Sequence, residues 1–373
     1  MPHAPAKNVP SKRKALLIGG GAPNATLMAG ALVAMLECGV EFDVISTSGA
    51  GALIGLLYAA PRGGDPIQAL QNTVKLGISD EIYNLLPVNY KVFNKPGPGA
   101  DLFRQLLEMN PFSRGVLAQD AQNGPQRLFN DWLQLCWATL TPSDVTPESL
   151  GLCAHVPFAE EVVDFDALRR LPAEFYINAF NVTQGRMAIW GKQEINAEHF
   201  RAALSFPLIY PPYRLGGDDY IEGAAIDTIN FRALVADKPP RGAAQKSFQW
   251  QGAERGHGLH EDLDTLVVFD ILGSDKLIRT PRNLYDAWVK SIITPLVEIA
   301  RDDVRLFELE HNRNKDGSDK RRLLKVPLLK SVPDDAWAEI LDWSESNLAR
   351  LYQIGHQAGR RFCDEHAVAL NIA

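Results

Sequence analysis

The chain has 373 residues, 46% of them hydrophobic, and a formal net charge of −7. This length suits one large α/β domain or two small ones, with ample apolar side chains for a core. The negative balance argues against a nucleic-acid partner. The four cysteines are widely spaced and form no CxxC or metal pattern, which favours a reduced, cytoplasmic compartment.

The first part of the chain alternates between buried strands and apolar helices. Residues 1–13 are polar and rich in proline and predict a disordered arm. Apolar runs predict strands at 14–18 and 41–46, and each is followed by an apolar helix, at 25–38 and 50–60. Strand–helix–strand–helix order predicts parallel strands with helices on the faces of the sheet.

The rest of the chain is less regular. Residues 62–130 contain many turn formers and no clear strand, and they predict an inserted helical cap. Such a cap either borders a binding site or is a plain structural insertion. Further on, 173–190 predicts a hairpin, 265–272 a buried strand and 281–310 a long amphipathic helix, and a last helix follows from about 344 to 366. No stretch is apolar over about 18 residues, which predicts a chain without a membrane span and leaves peripheral membrane contact open.

Three glycines, Gly19-Gly20-Gly21, connect the first strand to the first helix. Backbone amides at such a turn attract negative charge. A dinucleotide-binding loop is one alternative, but Asn24 stands where the third glycine of G-x-G-x-x-G belongs, and Asp43 begins the second strand instead of ending it. The other alternative is an oxyanion loop. A tight turn that needs small residues would also explain the three glycines, and such a turn is compatible with an oxyanion loop.

The second strand runs into the second helix through Thr47-Ser48-Gly49-Ala50-Gly51, a sequence typical of a nucleophile elbow. Small residues surround Ser48, and a sharp turn of this kind needs them. Close packing of the helix on the strand would by itself also explain the glycine and alanine residues, without a catalytic role. A third segment, Tyr220-Ile221-Glu222-Gly223, predicts a short strand that ends in an acid followed by a turn, with Asp227 shortly after.

Together the three segments resemble the patatin-like phospholipase family. That family begins with a Gly-Gly-Gly oxyanion loop, continues with Gly-Thr-Ser-Ala-Gly-Ala at the elbow and ends with Asp-Gly-Gly or Asp-Gly-Ala. The resemblance implies a mainly parallel sheet sandwiched by helices over 14–373, with 62–130 as the inserted cap. It implies hydrolysis of lipid acyl esters by a serine–aspartate dyad, without histidine, metal or organic cofactor. The substrate would be a lipid or another hydrophobic acyl compound.

The departures from the family pattern fall on the catalytic positions. Alignment without gaps places the family's serine on Gly49 and its aspartate on Glu222. We expect an acyl-ester hydrolase in which the elbow has slid by one residue, so that Ser48 is the nucleophile, Glu222 or else Asp227 the acid, and the amides of Gly20 and Gly21 the oxyanion donors. The alternatives are a protein that has lost the nucleophile and binds lipid or acyl groups without hydrolysis, and other chemistry on the same fold. A glycine at the elbow is expected to adopt a positive φ. Head group, chain length and oligomeric state stay open.

Overall fold

The computed structural model describes residues 13–21, 24–117, 121, 123–155, 159–235, 260–333 and 342–372. The predicted arm lies outside these residues, apart from Arg13. Eight strands form one sheet, and in chain order they are β1 Arg13–Ile18, β2 Val44–Thr47, β3 Glu174–Asn181, β4 Arg186–Gly191, β5 Tyr213–Leu215, β6 Asp218–Glu222, β7 Leu263–Phe269 and β8 Arg322–Lys325.

Twelve α-helices are found in the described residues. In chain order they are α1 Ala25–Glu37, α2 Ala50–Ala59, α3 Pro66–Gln71, α4 Asp80–Leu85, α5 Pro98–Met109, α6 Pro111–Leu117, α7 Gly124–Leu140, α8 Ala159–Val162, α9 Phe165–Arg170, α10 Ala197–Ala203, α11 Leu284–Leu306 and α12 Glu345–Leu370. The strands and helices predicted before residue 61 lie within a few residues of these bounds, as do the hairpin, the long amphipathic helix and the last helix. None of the helices in the described ranges is long and apolar enough to cross a membrane.

The sheet has the order β5-β6-β3-β2-β1-β7-β8, and β4 pairs with β3 as well. Strands β3, β2, β1, β7 and β8 are parallel, whereas β4, β5 and β6 are antiparallel to their neighbours. The predicted α/β architecture, mainly parallel and flanked by helices, is therefore confirmed. The antiparallel strands all lie at the β3 side of the sheet.

Strand β3 positions two other strands end to end. β4 pairs along one edge of β3 over Tyr176–Asn181. The opposite edge is shared, because β2 pairs with its first half and β6 with its second half. Thr47, the last residue of β2, pairs with Ile177, and Glu222, the last residue of β6, pairs with Ala179. The ends of β2 and β6 therefore meet beside β3.

The parallel strands β1, β2, β3 and β7 are largely buried on both faces, because helices cover the sheet on both sides, whereas the edge strand β8 is partly exposed. In β1 the side chains of Leu16 and Ile18 join the larger core cluster, whereas Ala15 and Leu17 join the smaller cluster on the other face. This alternation follows from the two-residue period of a strand. The larger cluster contains α1, α2 and α12, and the smaller cluster contains the end of α11 near Val304.

Helices α1 and α12 make the most extensive helix–helix contact of the described residues. Glycines allow the two backbones to approach. A Cβ at Gly30 would lie 2.0 Å from the carbonyl oxygen of Tyr352, and a Cβ at Gly355 would lie 2.0 Å from that of Leu27. Both neighbours are backbone atoms, so no side-chain rotation could make room. This contact joins the last described helix, α12, to the first one, α1.

The predicted helical insertion consists of two parts. The first part, α3 and the 3₁₀ helix Asn72–Leu76, packs on α1, α2 and α12, and Leu70 joins the larger core cluster. The second part, α4 to α7, has its own small apolar cluster around Ile78, Ile82 and Tyr90. Helix α7 continues to Leu140, beyond the predicted limit at 130. The domain division stays a prediction.

Candidate functional site

The elbow is a sharp turn between β2 and α2. The amide of Ser48 donates to the carbonyl of Ile18 at 3.0 Å, which extends the β1–β2 pairing by one step. Gly49 then has φ 51° and ψ −132°, and α2 begins at Ala50. A φ of this sign disfavours any residue with a Cβ. The positive φ predicted at Gly49 is therefore confirmed, and the strained position of the turn is the glycine rather than Ser48.

Close packing explains the other elbow glycine. A Cβ at Gly51 would lie 2.5 Å from the carbonyl oxygens of both Gly19 and Ile18. Helix α2 therefore approaches the end of β1 at a distance that only glycine allows. The contact joins the elbow to the loop that follows β1.

The loop Gly19–Gly21 lies against the ends of neighbouring segments. The amide of Gly19 donates to the carbonyl of Phe269, at the end of β7, at 3.0 Å. The amide of Gly20 lies 3.4 Å from the carbonyl oxygen of Thr228, which is a long hydrogen bond. Gly21 has φ 126°. The assignment of Gly20 and Gly21 as oxyanion donors stays a prediction.

Glu222 lies directly over the elbow. A Cβ at Gly49 would lie 2.1 Å from Oε1 of Glu222, and a Cβ at Gly20 would lie 3.7 Å from the same oxygen. The carboxyl group therefore occupies the space that a side chain at position 49 would need. Glu222 is only 8% exposed, and burial raises its pKa to about 8. At neutral pH the group is mostly protonated and can donate a hydrogen bond.

Ser48 is fully buried. Its Oγ donates to the carbonyl oxygen of Asp227 at 2.9 Å, so its one hydroxyl hydrogen is not directed at Glu222. Nδ2 of Asn178 donates to the same carbonyl at 3.2 Å. The predicted dyad residues thus lie on one turn and the strand end beside it, but their hydrogen bonds differ from those of a dyad in this conformation. The nucleophilic role of Ser48 stays a prediction.

Asp227 contacts the elbow through its backbone. Its carboxylate lies 3.6 Å from Nε of Arg232, and the side chain is buried. Asp303 of α11 lies close by and accepts from the amide of Ile229 at 3.0 Å. Burial and the charge of Asp227 raise the pKa of Asp303 to about 8. This pair of acids supports the segment that holds Ser48, and the role of Asp227 as a catalytic acid stays a prediction.

Sequence reasoning missed a supporting group around Glu222. The amide of Glu222 donates to the carbonyl of Ser205 at 2.9 Å, and Oγ of Ser205 lies 2.9 Å from Nε2 of His155. The His155 ring stacks on Tyr210 with centroids 4.4 Å apart, and burial lowers the pKa of His155 to about 4. Asn178, which contacts the carbonyl of Asp227, could have been singled out from the sequence, because it is a polar residue inside a largely apolar strand. His155 had no such signal, since its partners are distant in sequence.

We expect the contribution of Glu222 to the free energy of unfolding to decrease as pH rises from about 5 to above 8. Unfolded glutamate releases its proton near 4.5, whereas Glu222 in the folded chain keeps it up to about 8. The folded state therefore binds more protons in this window, and stability falls with pH. Glu222→Gln cannot titrate and should show a shallower decrease in thermal melts recorded from pH 5 to 9.

Asp303 supplies the control for that experiment. Its pKa is also raised to about 8, so its share of the pH dependence should persist in Glu222→Gln and be lost in Asp303→Asn. Equal slopes for the wild type and Glu222→Gln would contradict a buried, protonated Glu222.

Among the described residues, no group of three or more histidine, cysteine or acidic side chains could hold a metal ion.

The chain matches one known protein family by its sequence. A family profile described as patatin-like phospholipase matches residues 16–235, which include the glycine loop, the elbow and Glu222. No curated protein sequence matches significantly. Among solved structures, VipD from Legionella pneumophila has 14% identity and a TM-score of 0.38, and the alignment covers 96% of this chain and 67% of that chain. The ExoU–SpcU complex of Pseudomonas aeruginosa has 14% identity and a TM-score of 0.30, with 95% of this chain and 51% of that chain covered.

The profile match extends over more than half of the chain, and it contains all three segments on which the resemblance rested. The chain belongs to the patatin-like phospholipase family, a family of lipid acyl hydrolases.

Proposed function

We propose that this chain binds the acyl group of a lipid, or of another hydrophobic acyl compound, between the Gly19–Gly21 loop and the elbow, without forming a serine acyl-enzyme. One observation carries the proposal. The residue with the elbow conformation is Gly49, which has no side chain, and the carboxyl group of Glu222 fills the space where a side chain would lie.

The chemistry of Glu222 supports binding of an acyl carbonyl. Burial keeps its carboxyl group protonated at neutral pH, so it acts as an O–H donor toward a carbonyl oxygen. The adjacent glycines allow a ligand to approach the backbone closely. Ser48 does not take part in this arrangement, because its hydroxyl is buried and bonded to the carbonyl of Asp227.

The shifted dyad is the second candidate. In its favour, Glu222 lies beside the turn that carries Ser48, and a pKa of about 8 suits a general base that works at slightly alkaline pH. For hydrolysis, the Ser48 hydroxyl would have to leave the carbonyl of Asp227 and turn toward the carboxylate. An acyl-enzyme on Ser48 would then form and be released by water.

The test measures binding of a fluorescent long-chain acyl ester together with labelling by a fluorophosphonate. We expect the wild type and Ser48→Ala to bind the ester equally and to remain unlabelled. Binding by the wild type should weaken about tenfold or more above pH 8, as Glu222 loses the proton that it donates. Glu222→Gln keeps a donor and should bind without this pH dependence, whereas Glu222→Leu should lose most of the affinity.

Two results would argue against the proposal. Fluorophosphonate labelling mapped to Ser48 and absent in Ser48→Ala, with turnover of the ester, would establish the shifted dyad instead. Unchanged ester affinity in Glu222→Leu, with an ordinary melting curve, would remove Glu222 from the binding site.

A further inference from the structure

Helix α5 exposes a row of large apolar side chains. Leu102, Leu106 and Met109 lie four and three residues apart, so they share one face of the helix. Each of them is more than half exposed. Phe112 of α6, which packs on α5, is 62% exposed as well. Exposed apolar groups are ordinary when they are scattered singly, but a cluster on adjacent helices marks an interaction surface.

Helix α7 buries several polar side chains and exposes two large aromatic ones. Its buried side chains include Asn130, Asp131 and Gln134, whereas Phe129 and Trp132 are about half exposed. The polar side is bonded in place. Asp131 accepts from the hydroxyl of Ser79 at 2.6 Å and lies 2.7 Å from Nζ of Lys91, and Gln134 donates to the carbonyl of Val116 at 2.8 Å. This network orients the aromatic side outward.

Since α6 contacts both α5 and α7, we treat the exposed apolar side chains of the three helices as one surface, the apolar face, and define it by Leu102, Leu106, Met109, Phe112, Phe129 and Trp132. The two arginines of α5 and α6 are engaged within the insertion. Arg104 donates to the carbonyl of Lys95 and to Asp101, and Arg114 donates to the carbonyl of Glu108. The chain as a whole carries a net charge of −7. A surface of this composition suits a neutral partner better than an anionic one.

Hydrogen bonds join the insertion that carries the apolar face to the strand that carries Glu222. After α7, the amides of Leu152 and Cys153 donate to the carbonyls of Leu208 and Ile209 at 2.9 and 2.8 Å. Two residues further, His155 contacts Ser205, whose carbonyl accepts from the amide of Glu222. The face and the proposed acyl site are therefore parts of one bonded assembly.

We propose that the apolar face docks on the surface of a neutral, zwitterionic phospholipid bilayer, with Trp132 and the α5 side chains inserted at the level of the head groups. The inference rests on the proposed function, in which the site receives the acyl group of a lipid. A lipid surface fits better than a protein partner, because it satisfies an uncharged apolar face without matching polar groups and supplies the ligand of the connected site.

The experiment is co-sedimentation of the full chain with phosphatidylcholine vesicles. The test variant is the double substitution Leu106→Gln and Trp132→Gln, and both side chains are at least half exposed, so the fold should persist. The matched control is Leu284→Gln and Val368→Gln, which replaces two apolar side chains that are each 88% exposed on α11 and α12. We expect at least tenfold weaker vesicle binding for the test variant, an unchanged control, and little effect of 0.5 M salt, which screens interactions between charges more than about 4 Å apart.

Several outcomes would overturn the inference. They are no binding of the wild type, equal binding of the wild type and the test variant, or binding that requires anionic lipid and disappears in salt. Dimerisation of the wild type that the test variant abolishes, without vesicle binding, would assign the face to a second copy of the chain. Failure of the acyl site is measured separately, because the ester assay needs no vesicles and the test variant should bind the ester as the wild type does.

Discussion

Gly49→Ser is expected to destabilise the folded chain by about 2–4 kcal/mol, although it restores the family residue at the elbow. The added Cβ would lie 2.1 Å from Oε1 of Glu222 and 2.8 Å from Cβ of Ala224, at a residue with φ 51°. The backbone strain and the displaced carboxyl group both raise the free energy of the folded state. Chemical denaturation of the wild type and the variant measures the difference.

Glu222→Asp should partly rescue that variant. The shorter side chain withdraws the carboxyl group by one methylene, so the double variant Gly49→Ser/Glu222→Asp should recover at least about 1 kcal/mol relative to Gly49→Ser. It also contains the serine and the aspartate of the family pattern. We therefore expect ester hydrolysis and fluorophosphonate labelling at position 49 in the double variant, with Glu222→Asp alone as the inactive control.

Two results would contradict these predictions. If Gly49→Ser were as stable as the wild type, the side chain of Glu222 could not occupy the space over the elbow. If the two substitutions were simply additive in stability, positions 49 and 222 would not be in contact. Either outcome would remove the observation on which the proposed function depends.

Gly355→Ala is the second substitution for which we expect a large effect. Its Cβ would lie 2.0 Å from the carbonyl oxygen of Leu27 and 2.9 Å from the Cα atom of the same residue. These are backbone atoms of α1, so the two helices would have to separate along their contact. We expect a loss of about 3 kcal/mol or more in the free energy of unfolding, or failure to fold.

Gly115→Ala is the matched control. Gly115 also lies in a helix, α6, but a Cβ there meets no atom within 4 Å. Since alanine has the higher helix propensity, this variant should be equally stable or more stable by about 0.5–1 kcal/mol. Urea unfolding of both variants separates the cost of the helix contact from the general effect of a glycine-to-alanine change. A loss below about 1 kcal/mol in Gly355→Ala would contradict the close approach of α1 and α12.

The order of elements near the glycine loop and the elbow followed from the sequence. Short apolar runs and the glycines after them determine where a strand ends and a helix begins, and such signals are local. The positive φ at Gly49 was predictable for the same reason, because a sharp strand-to-helix turn needs a residue without a Cβ. The family was predictable as well, since its three motifs stand in order along the chain.

Only the tertiary structure decided which groups face each other. Glu222 lies over Gly49 because β2 and β6 share one edge of β3, and pairings between distant strands leave no mark in a single sequence. The hydroxyl of Ser48 bonds to Asp227, which is 179 residues away. The burial of Asp131 in α7 likewise depends on Ser79 and Lys91 of another segment. The sequence by itself thus determined the elements, the turn and the family, whereas the directions of the side chains at the site came from long-range packing.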